Sequence, residues 1–198
     1  MEVYLNFSNS NTWSEIWPEI SLAIAAIVLL GIDLFRKSSR PLVSTGILAI
    51  TVQASLLIFH LFDYLVWHHT FDRETFSGML QQGIQGDVMR TFFLLSSLLV
   101  TVLGHQYLKT NHLRSGEFHH LTMLATAGLM LLVQSNNFLM LFVALETVAV
   151  CFYTLVAYNR DSAKSLEAGI KYLVFGALST TLRLFSRVRI NGGSANPE

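Results

Sequence analysis

The sequence predicts an all-α, polytopic membrane protein, a transmembrane bundle of about six helices. Three observations carry this. Of 198 residues, 52% are hydrophobic and 13% charged, about half the charged share of an ordinary soluble domain. The apolar residues gather into runs of about 20, the length of a helix crossing hydrocarbon and about twice that of a barrel strand. The runs also lack the in–out alternation of a membrane strand, and in lipid a helix satisfies its own backbone polar groups. The mean hydropathy of +0.48 agrees.

The runs follow in order. Residues 1–16 read as an extracytoplasmic N-terminal segment. From Met1 to Glu15 they carry Glu2 and Glu15 and no Lys or Arg, so the basic n-region of a secretory leader is missing. The first span runs from Trp17 to Phe35, the second from Leu42 to Trp67 and the third from Val88 to Leu108. These are the three leading helices, within 17–108. The next three occupy 118–185: Phe118 to Val133, Phe138 to Tyr158, and a sixth from Ser165 past Phe185. Gly128, Gly169 and Gly176 lie inside apolar runs, where a small residue lets helices approach closely.

Loop charges set the orientation. Arg36, Lys37 and Arg40 follow the first span, Lys109 and Arg114 the third, Arg160 and Lys164 the fifth. The opposite side offers Arg73 and Arg90 and no basic residue in Gln134-Ser135-Asn136-Asn137. The basic loops are therefore expected in the cytoplasm and the N-terminus outside. Trp13, Trp17 and Trp67 then share the outer interface, where indole rings are enriched.

The end departs from this pattern. Arg183, Arg187 and Arg189 arrive where a sixth span should still be in hydrocarbon, on the side the charge rule disfavours. The sixth span is expected to be cut short, with 186–198 an atypical tail whose last residues, from Asn191, are disordered. A truncated or altered reading frame accounts for this. The plainer alternative is a short sixth helix with a basic end.

An ionisable side chain near the bilayer centre costs about 2.5–3.5 kcal/mol on insertion scales and marks a candidate site. Glu146 lies nine residues beyond Asn137, roughly 14 Å into a core of about 30 Å. Desolvation and a nearby cation pull a carboxyl in opposite directions, which suits a proton relay. Without such a role, Glu146 would be a protonated side chain hydrogen-bonded to a neighbouring helix. Lys171 lies nine residues beyond an N-cap at Ser162, and Glu167 precedes it by four, the spacing of a helix ion pair. Lys171 is a relay group, a snorkelling lysine, or one half of a static pair with Glu167. In an antiparallel packing of these two spans, Glu146 and Lys171 would fall at depths within about 5 Å of each other.

The other polar residues read as structural. His60 and Asp63 form an interfacial pair, His105 is interfacial, and Asp33 pairs with Arg36 or Lys37 at the membrane edge. His112, His119 and His120 lack metal-ligand spacing and are expected in solvent. The single cysteine, Cys151, excludes an intramolecular disulfide or a Cys-built zinc or iron–sulfur site within this chain. No phosphate loop, dinucleotide fingerprint or nucleophile elbow occurs, and the balance of 13 basic and 13 acidic residues offers no nucleic-acid footprint. Asn6-Phe7-Ser8 is a sequon with meaning only in an exported eukaryotic chain.

The stretch Asn136-Asn137-Phe138-Leu139-Met140-Leu141-Phe142-Val143-Ala144-Leu145-Glu146 resembles the fifth span of antiporter-like subunits of respiratory complex I. So does Tyr158 to Leu173, whose Ser-x-Glu-Ala-x-x-Lys-Tyr core at Ser165 to Tyr172 is most similar to the subunit N branch of bacterial NADH–quinone oxidoreductases. Pro18-Glu19 at the head of the first span, and Asp33 at its end, also fit. The resemblance covers about Trp17 to Leu182. It implies a fold of about 14 helices built on two inverted repeats, of which this chain would hold the N-terminal part. It also implies that Glu146 and Lys171, with Glu167 a further possibility, serve proton translocation coupled to electron transfer from NADH to quinone. The chain would bind no cofactor itself; NADH, FMN, iron–sulfur clusters and quinone would be handled by partner subunits of the membrane-bound complex. The expected place is the bacterial inner membrane, among other membrane-arm subunits. The family's broken helix and downstream relay lysines are not present. The rival readings are a subunit of a multisubunit cation/proton antiporter or membrane-bound hydrogenase, and a non-catalytic membrane scaffold or inactive fragment.

Overall fold

The computed structural model describes residues 13, 16–35, 42–67, 73–76, 78–110 and 116–193. Arg36, Lys37, Arg40, His112, Arg114 and the sequon at Asn6 lie outside the described residues, and with them the expected Asp33 ion pair and part of the charge count. Six α-helices are present among the described residues: α1 (Trp17–Phe35), α2 (Leu42–Trp67), α3 (Ile84–Thr110), α4 (Gly116–Gln134), α5 (Phe138–Val156) and α6 (Ala163–Gly193). They correspond to the six expected runs. Four are long and apolar enough to cross a membrane: α1, α2 over Thr45–Val66, α3 and α5. The chain is thus a multi-pass helical membrane protein.

The two helices that fall short differ for physical reasons. α4 is the centre of its bundle. It packs against α1, α3 and α2, and Met123, Ala127 and Met130 meet Leu22, Ala26 and Leu29 of α1, Ala49 of α2 and Leu94 of α3 in one core. A helix walled by other helices need not be apolar all round, so α4 also buries His119, Thr122, Thr126 and Gln134. α6 carries Lys164, Glu167, Lys171 and three arginines.

Two features differ from expectation. A small antiparallel hairpin, β1 (Arg73–Thr75) and β2 (Leu80–Gln82), precedes α3. Gly78 takes a positive φ of 80° in its turn, a conformation glycine adopts without a Cβ clash. Asn136 binds the hairpin through its backbone N–H to the Met79 carbonyl (2.9 Å) and its side chain to the Gly78 carbonyl (3.2 Å). The second difference concerns the end. α6 runs past Phe185 as expected and stays helical through Arg183, Arg187 and Arg189 to Gly193, though it is not among the helices apolar enough to cross a membrane. The boundary expected at 185/186 and the expected disorder from Asn191 therefore fall within a helix as far as Gly193. Arginine is a good helix former, so the basic residues change the helix's solvent preference without ending it.

The chain divides into two units, 1–151 and 152–198. The first holds the α1–α4 bundle, the hairpin and most of α5. In the second, the end of α5 turns into α6 through a short connection. Ser162 accepts the first helical bond of α6, from the Leu166 N–H (3.1 Å), and the Ser165 hydroxyl donates to the Val156 carbonyl (2.9 Å). The helices cross closely because α6 offers glycines. A Cβ on Gly169 would stand 2.5 Å from that of Ala157, and the Tyr153 and Tyr172 rings meet edge-on at 5.1 Å.

Candidate functional site

Glu146 is the ninth of the 19 residues of α5, at the middle of an apolar helix and partly buried. The helix starts cleanly: the Asn137 side chain accepts from the Leu139 N–H (3.1 Å), as an N-cap does. Ala144 and Val148 are buried on either side of Glu146 in sequence. There α5 lies against α4 at Gly128, whose added Cβ would stand 2.9 Å from Val148 Cγ2 and 3.6 Å from the Ala144 carbonyl. The glycine lets the two helices approach until side chain meets backbone.

Lys171 and Glu167 lie on α6. The Lys171 ammonium donates to Glu167 Oε1 at 2.5 Å, and both side chains are about two-thirds exposed, at 66% and 64%. The pair predicted from spacing is therefore formed. Glu146 belongs to the first unit, Lys171 and Glu167 to the second. Among the described residues no group of three or more His, Cys, Asp or Glu could hold a metal ion.

The structure also assembles polar groups that were read as separate. Glu19, at the head of α1, is 2% exposed, and Arg90, in the second turn of α3, is 4% exposed. Arg90 Nε donates to Glu19 Oε1 (2.8 Å) and Nη1 to Asp87 Oδ1 (3.1 Å). The Gln134 amide, at the end of α4, donates to the same Glu19 oxygen at 2.5 Å and accepts from Gln82 at 2.7 Å. His60 of α2 is also buried and lies 3.3 Å from the Asp87 carbonyl. Arg90 is thus not a loop charge but one end of a buried ion pair tying α1, α3 and α4. At the other end of the bundle, His119 is 1% exposed rather than solvated, and its ring lies 5.7 Å from that of His105. The available signal was positional: Arg90 stood on the side where basic residues are disfavoured, and Glu19 at the start of an apolar run.

A helical membrane bundle with a carboxyl at mid-span and a lysine–glutamate pair on the following helix defines a class of multi-pass proteins that keep ionisable groups within their spans. Residues 135–192 match the transmembrane family described as NADH:quinone oxidoreductase/Mrp antiporter, a stretch that includes Glu146, Glu167, Lys171 and all three arginines of α6. The whole chain is 42% identical to NADH-quinone oxidoreductase subunit N 1 of Opitutus terrae. It is 37% identical over 89% of its length to subunit N of Xanthomonas euvesicatoria, and 30% identical over 91% to subunit N of an Azoarcus species. The chain belongs to the NADH-quinone oxidoreductase subunit N family. It spans less than half the length of these relatives, 39%, 35% and 36% respectively.

Proposed function

We propose that this chain works within the membrane arm of a proton-pumping NADH:quinone oxidoreductase, where Glu146 and Lys171 take part in proton translocation. The observation that carries the reading is Glu146 at the centre of an apolar helix, inside the stretch matched to the antiporter-type family. A carboxyl there is costly to keep, and it earns its place by exchanging a proton as its surroundings change. Lys171, paired with Glu167 on an exposed face of α6, is the second ionisable group of the matched stretch assigned to proton translocation. On this reading the redox chemistry, with NADH, flavin, iron–sulfur clusters and quinone, belongs to partner subunits. The complex sits in the bacterial inner membrane, the N-terminus of this chain outside.

The family description covers Mrp antiporters as well as quinone oxidoreductases. The relatives, each named as subunit N of an NADH-quinone oxidoreductase, favour the second. In the assembled complex, Glu146→Gln lowers NADH-driven proton uptake into inverted membrane vesicles while the subunits still assemble. Uptake equal to wild type at equal NADH oxidation would remove Glu146 from the pump and return the scaffold reading.

A further inference from the structure

We propose that the α1–α4 bundle contains a second protonatable site, the His105–His119 pair, joined to a water-holding polar row that runs along the bundle toward Glu19 and Arg90. This rests on the reading that the complex moves protons, but it uses neither Glu146 nor Lys171.

The pair is built by three helices. His105 of α3 and His119 of α4 have ring centroids 5.7 Å apart. A Cβ on Gly46 of α2 would stand 2.1 Å from His105 Nδ1 and 2.9 Å from His119 Nε2. Both nitrogens therefore converge on the one position of α2 without a side chain. His105 Nδ1 and both nitrogens of His119 are buried with no hydrogen-bond partner. Each unsatisfied buried polar atom costs about 1–3 kcal/mol, and a neutral imidazole always offers one donor and one acceptor. Two leucines would fill this place without that cost. What satisfies the nitrogens is a proton and water.

The orphan atoms continue into the bundle. Gln53, seven residues along α2 from Gly46, is fully buried with both amide atoms unpartnered. Thr101, one turn along α3 from His105, is fully buried with its hydroxyl unpartnered. One further turn on, Ser97 accepts from Thr126 at 2.7 Å. The row ends at Glu19, whose second carboxylate oxygen is buried and unpartnered beside Arg90. Arg90 to His105 and His119 to Gln134 are each 15 residues, roughly 22 Å of helix, so the row covers most of a core of about 30 Å. Buried water is held where it finds two to four polar partners, and these orphan atoms are the groups with which such water would pair.

The step is a proton transfer. A hydronium on the His119 side gives its proton to a free imidazole nitrogen and leaves as water. Only one proton is held, because two adjacent imidazolium ions repel. The other titratable groups that the packed helices carry at this end are Glu117 and His120 on α4, Lys109 on α3 and Asp33 on α1; α2 has none from Leu42 to Gln53.

Two measurements on the assembled complex test this. The first is radiolytic hydroxyl-radical labelling read by mass spectrometry, with Met123 and Met130, both 0% exposed, as reporters beside the row. Internal water labels them at rates comparable to exposed Met79 and Met89. Protection of both means a dry bundle and overturns the row. The second is the pH profile of NADH-driven proton uptake per NADH oxidised. Replacing both histidines, His105→Leu with His119→Leu, changes the shape of this profile, because the buried groups that would take the proton are gone. A profile superimposable on wild type overturns the site. Glu146→Gln, assayed in parallel, separates the two readings: normal pumping in that variant removes the proposed function, while the labelling still decides the row.

Discussion

Glu19 and Arg90 show how one residue's surroundings decide its meaning. A carboxylate taken out of water is tolerated when a cation and hydrogen bonds meet it, and Glu19 has Arg90 and Gln134 on one oxygen. Removing one partner strands the other charge, at about 3–5 kcal/mol. Glu19→Ala is therefore expected to lower the melting temperature of the purified complex sharply. Glu19→Leu combined with Arg90→Leu should cost less than the single change, because an apolar pair of similar volume leaves no buried charge. If the double variant is the less stable, the ion pair is a net stabiliser. Lys171 and Glu167 stand at the other extreme. Their pairing was legible from an i, i+4 spacing, because the contact lies within one helix. The Glu19–Arg90 contact joins residues 71 apart in sequence, and no local pattern announces it.

At the scale of the element, helix existence was legible and helix environment was not. All six apolar runs became helices, since the run lengths and the cost of unpaired backbone in lipid leave no other choice. α4 has the weakest apolar signal of the bundle yet lies at its centre. Its polar side chains face other helices, so hydropathy understated its burial. The reverse holds at the end, where the sixth span was expected to be cut short by Arg183, Arg187 and Arg189: the helix continues to Gly193, but it is not among the helices apolar enough to cross a membrane. Charge decides where a helix can lie; the backbone ladder decides whether it continues. The α5–α6 crossing depends on Gly169. In Gly169→Val the new side chain meets Ala157, with its Cα only 3.2 Å from the first added carbon. Overpacking of this kind costs about 1–3 kcal/mol. Faster proteolysis of the connection at 157–162 in detergent is the expected readout, and unchanged cleavage would mean that the helices part without cost.

For the whole molecule, orientation is the property with the widest consequence, because it decides which end of each polar row meets the cytoplasm. From the charge pattern the connection after α5 is expected inside and the one before it outside. In a Cys151→Ala background, a membrane-impermeant maleimide should label Asn136→Cys in intact spheroplasts and Asp161→Cys in inverted vesicles. Both positions are exposed. The opposite labelling would invert the topology and exchange the two ends of the His105–His119 row.

The sequence alone determined the class of protein, the six helical runs seen among the described residues, the position of Glu146 at the middle of its helix and the Lys171–Glu167 pair. Each depends on composition, run length or spacing along one helix, which are local quantities. Tertiary structure decided that α4 is the core, that Arg90 is buried with Glu19, and that His105 and His119 converge on Gly46. Those outcomes depend on which faces of separate helices meet. In a membrane, lipid is as apolar as a packed helix face, so hydropathy does not tell an inward face from an outward one. Packing between small residues and pairing of buried polar groups make that choice, and both appear only when the helices are assembled.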